Sequence, residues 1–161
     1  MPAEFATAYF DANVILAFVS EEEHRAIVVR ELLRQSDQGH RRIYTSTLSI
    51  AEVAFGAQEK VARALDHETE ARIDSVWQAS GKPVTLVEAS ITTMRLAREL
   101  IRGAMVAGNR LTAADAVHLA TAQAMKVATF YTYEDEARRA AWSALTGLAV
   151  AEPSVEQEPM L

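Results

Sequence analysis

Residues 5–19 read FATAYFDANVILAFV, and this stretch decides the fold. Its first part, Phe5 to Phe10, is apolar and rich in aromatic residues, which predicts a buried strand that ends near Asp11. The apolar residues from Val14 to Val19 predict a short helix directly afterwards. The acid between the two elements therefore stands at the end of a buried strand, where a carboxylate is costly.

The rest of the chain continues the alternation of short apolar strands with helices. Further strands are predicted at residues 43–45, 84–87, 128–132 and 147–150. Helices are predicted from a Ser20 cap towards Gly39, from Leu48 through Phe55, over 66–80 before the Gly81-Lys-Pro83 breaker, from Glu88 or Ser90 to Gly108, from a Thr112 cap to Met125, and over 134–144. This pattern predicts a three-layer αβα sandwich with a central, mainly parallel sheet of four to five strands.

Composition places the chain among ordinary globular proteins. Its 161 residues fit one domain, which we assign to residues 1–151, and residues 152–161 form an acidic tail that we expect to be flexible. The absence of cysteine excludes disulfides, thiolate zinc sites and cysteine nucleophiles. No apolar run approaches a membrane span, and the N-terminus lacks the pattern of a signal peptide, so we expect a cytoplasmic protein without a membrane partner.

The formal charge of −6 argues against broad electrostatic binding of nucleic acid. Such a substrate would have to be attracted locally, by a metal bound in an acidic pocket or by a basic cluster. The candidate cluster is His40, Arg41 and Arg42, with Arg25 and Arg30 on a nearby predicted helix. For each arginine alone, a solvated surface position is the favoured interpretation.

Acidic residues follow two of the predicted strands. Asp11 closes the first strand, and Glu134 and Asp135 follow the strand that ends at Thr132. Ligands of open parallel sheets bind beyond the carboxyl ends of the strands. We therefore expect these carboxylates to lie at the same edge of the sheet.

Two further acids occur in helices that look buried. Glu52 should share a helical face with Leu48 and Phe55, where a carboxylate is costly unless it is paired or bound to a cation. A shifted helix boundary or a buried salt bridge would also explain Glu52. Asp115 has capping-box spacing from Thr112, and this is compatible with metal binding near a helix N-terminus.

A histidine and a serine near these acids have simpler interpretations. His118 lies one turn after Asp115 in an apolar helix, where a packed and hydrogen-bonded core residue is favoured over a metal ligand. Ser46 is favoured as a helix cap over a partner of a site acid. Neither residue is therefore needed as a ligand.

Together, carboxylates from four segments are expected to converge on one edge, without a matching set of basic residues beside them in sequence. Hard oxygen ligands of this kind suit Mg²⁺ or Mn²⁺. Such a site performs phosphoryl chemistry, in which a metal activates water and stabilises the leaving oxygen. The chain has no glycine-rich phosphate loop and no dinucleotide fingerprint.

Four stretches, in this order, resemble the PIN-domain family, and within it the VapC-type toxins of bacterial toxin–antitoxin pairs. They are YFDANVILAFV at 9–19, TSTLSIAEV at 45–53, LTAADAVHLATA at 111–122 and FYTYEDEA at 130–137. The resemblance implies that Asp11, Glu52 and Asp115 are acidic metal-site residues, supported by Asn13 and Ser46. It also implies cleavage of single-stranded RNA, homodimerisation and inhibition by an antitoxin protein.

The sequence departs from the family at the fourth acid. The family usually has aspartate two residues after the strand-end threonine, Thr132, and this position holds Glu134, with Asp135 next to it. We slightly favour Asp135 as the catalytic acid, and keep both as metal ligands. The departure leaves a second hypothesis open, a PIN-like binding or regulatory module with weak or no cleavage. A phosphatase with a strand-end aspartate nucleophile ranks last, because Asn13 stands where its second aspartate would be.

Overall fold

Five parallel strands form one sheet in the computed structural model, which describes residues 6–77 and 83–155. The strands are β1 Ala6–Phe10, β2 Arg41–Ser46, β3 Val84–Val87, β4 Thr129–Tyr131 and β5 Val150–Ala151. The helices are α1 Ala12–Val19, α2 Arg25–Asp37, α3 Leu48–Glu52, α4 Ala57–Ala62, α5 His67–Trp77, α6 Ile91–Val106, α7 Ala113–Met125 and α8 Glu136–Thr146. The strand order is β3-β2-β1-β4-β5, which confirms the αβα sandwich.

Strand β1 lies at the centre of the sheet, with β2 on one side and β4 on the other. Because side chains alternate along a strand, Tyr9 and Phe10 enter different cores. Phe10 packs with apolar residues of α1, α2 and α5. Tyr9 packs with those of α6, α7 and α8. Helices therefore cover both faces of β1, the strand that the sequence predicted to be buried.

The connection from α1 to α2 differs from the prediction. Ser20 is the C-cap of α1 and does not cap the next helix, which begins only at Arg25. Between them, Glu21 and His24 have φ values of 52° and 64°, in the left-handed region. This tight turn reverses the chain, so the three glutamates at 21–23 precede the helix and do not form its first turn.

The segment after β2 also differs from the prediction. Helix α3 ends at Glu52, and Phe55 lies beyond it with 45% of its surface exposed. The prediction that Leu48, Glu52 and Phe55 share one buried helical face is therefore wrong. A shifted helix boundary, the alternative considered for Glu52, is what the structure has.

Helix α4 was not predicted, and it contains a buried acid, Glu59. The carboxylate of Glu59 accepts hydrogen bonds from the backbone N–H groups of Gly56, at 3.1 Å, and Asp66, at 2.9 Å. Backbone donors therefore compensate for its burial, and Glu59 serves to close this loop.

Other boundaries lie close to the predicted ones. Ser90, one of the two predicted starts, caps α6, and Thr112 caps α7 as expected, whereas α8 begins at Glu136, because Asp135 is its cap. The predicted extension of α5 to residue 80, and Gly81 and Lys82 of the breaker, lie outside the described residues, as do 156–161 of the tail. No helix in the described ranges is long and apolar enough to cross a membrane.

Candidate active site at the carboxyl edge of the sheet

Asp11 is the central residue of the candidate site and is 4% exposed. It follows β1 directly and is the N-cap of α1, so the strand passes into the helix without a loop. Its Oδ1 accepts a hydrogen bond from the backbone N–H of Ala12, and its Oδ2 accepts one from the hydroxyl of Thr132, both at 2.9 Å. Both carboxylate oxygens are thereby fixed in direction, and each keeps acceptor capacity.

Burial raises the pKa of Asp11 from 3.8 to about 6, and this effect exceeds the lowering effects of His118 and of the hydrogen bond from Thr132. The negative charge of Asp115 raises the pKa further, so the two carboxylates interact electrostatically. Among the described residues, no lysine or arginine forms an ion pair with Asp11. A nearby cation would favour the ionised form of Asp11.

Asn13 and Thr132 form a polar frame around Asp11. The hydroxyl of Thr132 accepts hydrogen bonds from Asn13 Nδ2 at 3.1 Å and from the backbone N–H of Glu134 at 3.2 Å, while it donates to Asp11. Asn13 Oδ1 accepts from the backbone N–H of Tyr133 at 3.0 Å. These bonds join the start of α1 to the loop after β4 and hold Asp11 in one orientation.

Glu52 reaches the site through His118. Its side chain is 30% exposed, and its Oε1 lies 2.5 Å from His118 Nε2. The same nitrogen lies 3.9 Å from Oδ1 of Asp11. His118 is 1% exposed and hydrogen-bonded, which agrees with the interpretation favoured from the sequence.

Tyr9 completes this group, and sequence reasoning did not identify it. Its hydroxyl lies 2.6 Å from His118 Nδ1 and accepts from the backbone N–H of Ser46 at 2.9 Å. Burial raises the pKa of Tyr9 above its usual value. The available signal was that Tyr9 lies in the buried strand before Asp11. A tyrosine hydroxyl there needs a hydrogen-bond partner, whereas a purely apolar side chain would not.

Asp115 lies in the first turn of α7. The hydroxyl of Thr112 accepts a hydrogen bond from the backbone N–H of Asp115 at 3.2 Å, as the cap prediction required. Within the described part of the chain, the Asp115 carboxylate is partly buried and has no hydrogen bond or ion pair. It is therefore free to bind a ligand.

The two candidates for the fourth acid are both engaged locally. Glu134 forms an ion pair with Arg138 at 3.1 Å. Asp135 is exposed, and its Oδ1 caps α8 by accepting from the backbone N–H of Arg138 at 2.8 Å. Ser46, the other supporting candidate, accepts from the backbone N–H of Leu48 at 3.1 Å, as a cap does.

Most of the basic cluster lies at the opposite edge of the sheet. Arg41 and Arg42 begin β2, whereas Ser46 ends it near the acids. Arg41 and Ser46 are five positions apart along the strand, a distance of about 17 Å at roughly 3.3 Å per residue. Arg25 is placed differently, because its guanidinium lies 4.3 Å from the ring centre of Tyr133, the residue whose N–H binds Asn13.

The chain is thus an all-parallel αβα protein with acids at the carboxyl edge of its sheet, and comparison with known proteins identifies the family. The family model of the PIN domain matches residues 8–143. The chain therefore belongs to the PIN-domain family, whose members are nucleases that generally use divalent metals. No curated protein matches the sequence at a significant level.

Solved structures with the same fold include VapBC2, FitAcB and VapC20. VapBC2 from Rickettsia felis, bound to a DNA fragment from its promoter, has a TM-score of 0.66 at 14% identity and covers 91% of this chain and 98% of that one. FitAcB from Neisseria gonorrhoeae has a TM-score of 0.62 at 18% identity, with coverage of 91% and 97%. The sarcin-ricin-loop-cleaving toxin VapC20 of Mycobacterium tuberculosis has a TM-score of 0.58 at 12% identity, with coverage of 85% and 93%.

The residues present fit a divalent ion in their chemistry. Among the described residues, Asp11 is a buried carboxylate that forms no ion pair with a lysine or arginine, and the Asp115 carboxylate adds negative charge to its surroundings. In residues 6–77 and 83–155, no group of three or more acidic, histidine or cysteine side chains stands at metal-binding distances. Mg²⁺ is commonly held by one or two carboxylates with water as the other ligands, and Asp11 with Asp115 matches this arrangement.

Proposed function

We propose that this protein is a Mg²⁺- or Mn²⁺-dependent endoribonuclease that cleaves single-stranded RNA, and that it is the toxin of a type II toxin–antitoxin pair. The observation that carries the proposal is the environment of Asp11. This carboxylate is buried at the end of the central strand and fixed by two neutral donors, and Asp115 adds negative charge. A bound cation resolves the electrostatic cost of this arrangement.

In this proposal Asp11 and Asp115 hold the ion, and Glu52 is the third acid. When bound, the ion supplies an activated water for attack on phosphorus and stabilises the charge on the leaving oxygen. Thr132 and Asn13 keep Asp11 oriented through their hydrogen bonds. Asp135 or Glu134 would join these acids after giving up its contact with α8, and we retain Asp135 as the preferred catalytic residue.

Support for an RNA substrate comes from a relative and from local charge. One protein with this fold is named as a toxin that cleaves the sarcin-ricin loop. The net charge of −6 argues against broad binding of nucleic acid, so we expect the substrate to be attracted near the acids. Arg25, stacked on Tyr133, is a basic side chain next to the polar frame of the site.

We propose an antitoxin protein as partner, together with a homodimer in the cytoplasm. The support is that VapBC2 and FitAcB share this fold, and that the sequence resembles VapC-type toxins. The promoter DNA belongs to the VapBC2 structure, and we do not assign it to this chain.

A binding or regulatory module is the second candidate, and the fourth acid favours it. Glu134 is paired with Arg138, and the Asp135 carboxylate is used as a helix cap. If neither leaves its partner, the site keeps fewer acids than the family pattern, and cleavage would be weak or absent.

The test is cleavage of a fluorescent single-stranded RNA by the purified chain, with Mg²⁺ or Mn²⁺ and with EDTA. We expect cleavage that requires metal and that Asp11→Asn and Glu52→Gln abolish. Asp37→Asn, which changes an exposed acid at the end of α2, is the matched control and should cleave normally. Metal-dependent binding of RNA without cleavage would instead favour the module, and cleavage that survives Asp11→Asn would refute the site.

A further inference from the structure

Three hydrogen bonds connect the backbone of β2 to the carboxylate of Glu52. The backbone N–H of Ser46 lies 2.9 Å from the Tyr9 hydroxyl, which lies 2.6 Å from His118 Nδ1. His118 Nε2 lies 2.5 Å from Glu52 Oε1. Because the chain of bonds begins at a backbone amide, which can only donate, its direction can be worked out.

The Tyr9 oxygen accepts from the amide of Ser46, and a phenol is protonated at neutral pH, so its single proton is available for His118. Nδ1 of His118 therefore accepts. A neutral imidazole whose Nδ1 accepts carries its proton on Nε2. That N–H donates to Glu52, so both ring nitrogens are used and neither is available for a metal.

Glu52 needs such an anchor more than Asp11 does. It ends a helix of five residues, it is partly exposed, and its carboxylate has no other hydrogen bond within the described part of the chain. Asp11, in contrast, is fixed by Ala12 and Thr132. Without His118, the long side chain of Glu52 would be free to turn into solvent.

The anchor itself is rigid. The Tyr9 ring stacks on Phe130 at 5.1 Å and meets the His118 ring edge-on at 5.7 Å, and all three residues are buried. The Nε2 atom that binds Glu52 is also 3.9 Å from Asp11 Oδ1. A donor fixed in this way holds the Glu52 carboxylate close to that of Asp11.

We propose that Tyr9 and His118 are positioning residues for the acidic site: Tyr9 holds the His118 ring through Nδ1, and His118 holds Glu52 next to Asp11. This inference deepens the proposed function, on which its consequence for metal binding rests. Partners of this kind, which hold a ligand in place, typically change metal affinity or activity 10- to 100-fold when they are removed.

The first experiment is ¹⁵N NMR of the His118 ring in the metal-free protein. We expect the Nε2–H tautomer in the wild type, because the Glu52 carboxylate can only accept, and a changed Nδ1 chemical shift in Tyr9→Phe, because Nδ1 loses its donor. The matched control is Tyr131→Phe, which changes a buried tyrosine of the neighbouring strand whose hydroxyl forms no hydrogen bond with the described residues. A proton on Nδ1 in the wild type, or an unchanged Nδ1 shift in Tyr9→Phe, would overturn the inference whether or not the protein binds metal.

The second experiment is titration of the same proteins with Mn²⁺. We expect the dissociation constant to rise about tenfold in Tyr9→Phe and to stay unchanged in Tyr131→Phe. Equal affinity of Tyr9→Phe and the wild type would overturn the positioning role. A wild type that binds no Mn²⁺ would refute the proposed function as well, and the tautomer measurement would still decide whether the hydrogen-bonded chain exists.

Two substitutions of His118 separate positioning from simple core packing. The amide nitrogen of glutamine can take the place of Nε2, whereas that of asparagine can take only the place of Nδ1. We therefore expect His118→Gln to keep more Mn²⁺ affinity than His118→Asn, when both are shown to be folded by circular dichroism. Equal losses in two folded variants would indicate that His118 only fills space, and would overturn the inference.

Discussion

Asp11→Asn should make the metal-free protein more stable at pH 8, although it removes the central residue of the site. The pKa of Asp11 is raised from 3.8 to about 6, and a difference of one unit corresponds to about 1.4 kcal/mol. The ionised carboxylate therefore lowers the free energy of unfolding by about 3 kcal/mol. Asparagine removes this cost but loses an acceptor for Thr132, which offsets about 1 kcal/mol. The expected net gain is about 2 kcal/mol.

The sign of the effect depends on pH. Because the folded-state pKa of this acid is raised, the stability that its protonated form provides is fully present below pH 3.8 and is lost as pH rises through about 6. The advantage of Asp11→Asn should therefore appear between pH 4 and 6 and remain constant above. Near pH 4 the variant should be the less stable protein. Asp11 is then mostly protonated in the folded wild type, so the main difference is the hydrogen bond that asparagine loses.

The assay is urea unfolding in EDTA at pH 8 and pH 4, followed by circular dichroism, for wild type and variant. Asp37→Asn serves as the control for removal of an exposed negative charge and should show little change at either pH. A variant that is destabilised equally at both pH values would refute the argument, because it would mean that the charge of Asp11 is not costly in the folded state.

Three further outcomes follow from the same contacts. Mn²⁺ at about 100 times its dissociation constant should stabilise the wild type by about 2.7 kcal/mol. Calorimetry should show this as a rise in melting temperature of roughly 5–10 °C. A similar rise in Asp11→Asn would contradict the site. Gly56→Ala should destabilise the protein by about 1–3 kcal/mol in urea unfolding, because the added Cβ would lie 2.8 Å from Cγ2 of Thr69; unchanged stability would mean that this contact relaxes freely. Glu59→Gln should lower the free energy of unfolding by about 1–3 kcal/mol without reducing RNA cleavage, since this acid binds backbone amides away from the site. A selective loss of cleavage would contradict the claim that Glu59 lies outside the site.

The sequence was most informative where one local pattern determines the result. The stretch from β1 through Asp11 into α1 predicted both the central strand and the acid at its end, because an apolar run interrupted by a carboxylate has few alternatives in a parallel sheet. Caps were predictable at Ser90 and Thr112 for a similar reason, since a side chain that binds its own helix needs no distant partner.

Contacts between distant segments were not predictable from such patterns. The bond between Tyr9 and His118 joins residues 109 positions apart, and either residue alone looks like ordinary core. The position of Glu52 depends on where α3 ends. The spacing of Leu48, Glu52 and Phe55 predicted a longer helix, but α3 ends at Glu52. Asp135 shows that an acid near a predicted site can instead accept a hydrogen bond from the backbone as a helix cap.

The most direct test of the central claim is the anomalous difference density of crystals soaked in Mn²⁺, examined around the carboxyl edge of the sheet. The account requires a peak shared by the carboxylates of Asp11 and Asp115, with Glu52 held beside it by His118, and the same map would show whether Glu134 or Asp135 is the fourth acid. A map with no manganese peak beside Asp11 or elsewhere in this pocket would contradict the claim that these acids form a metal site.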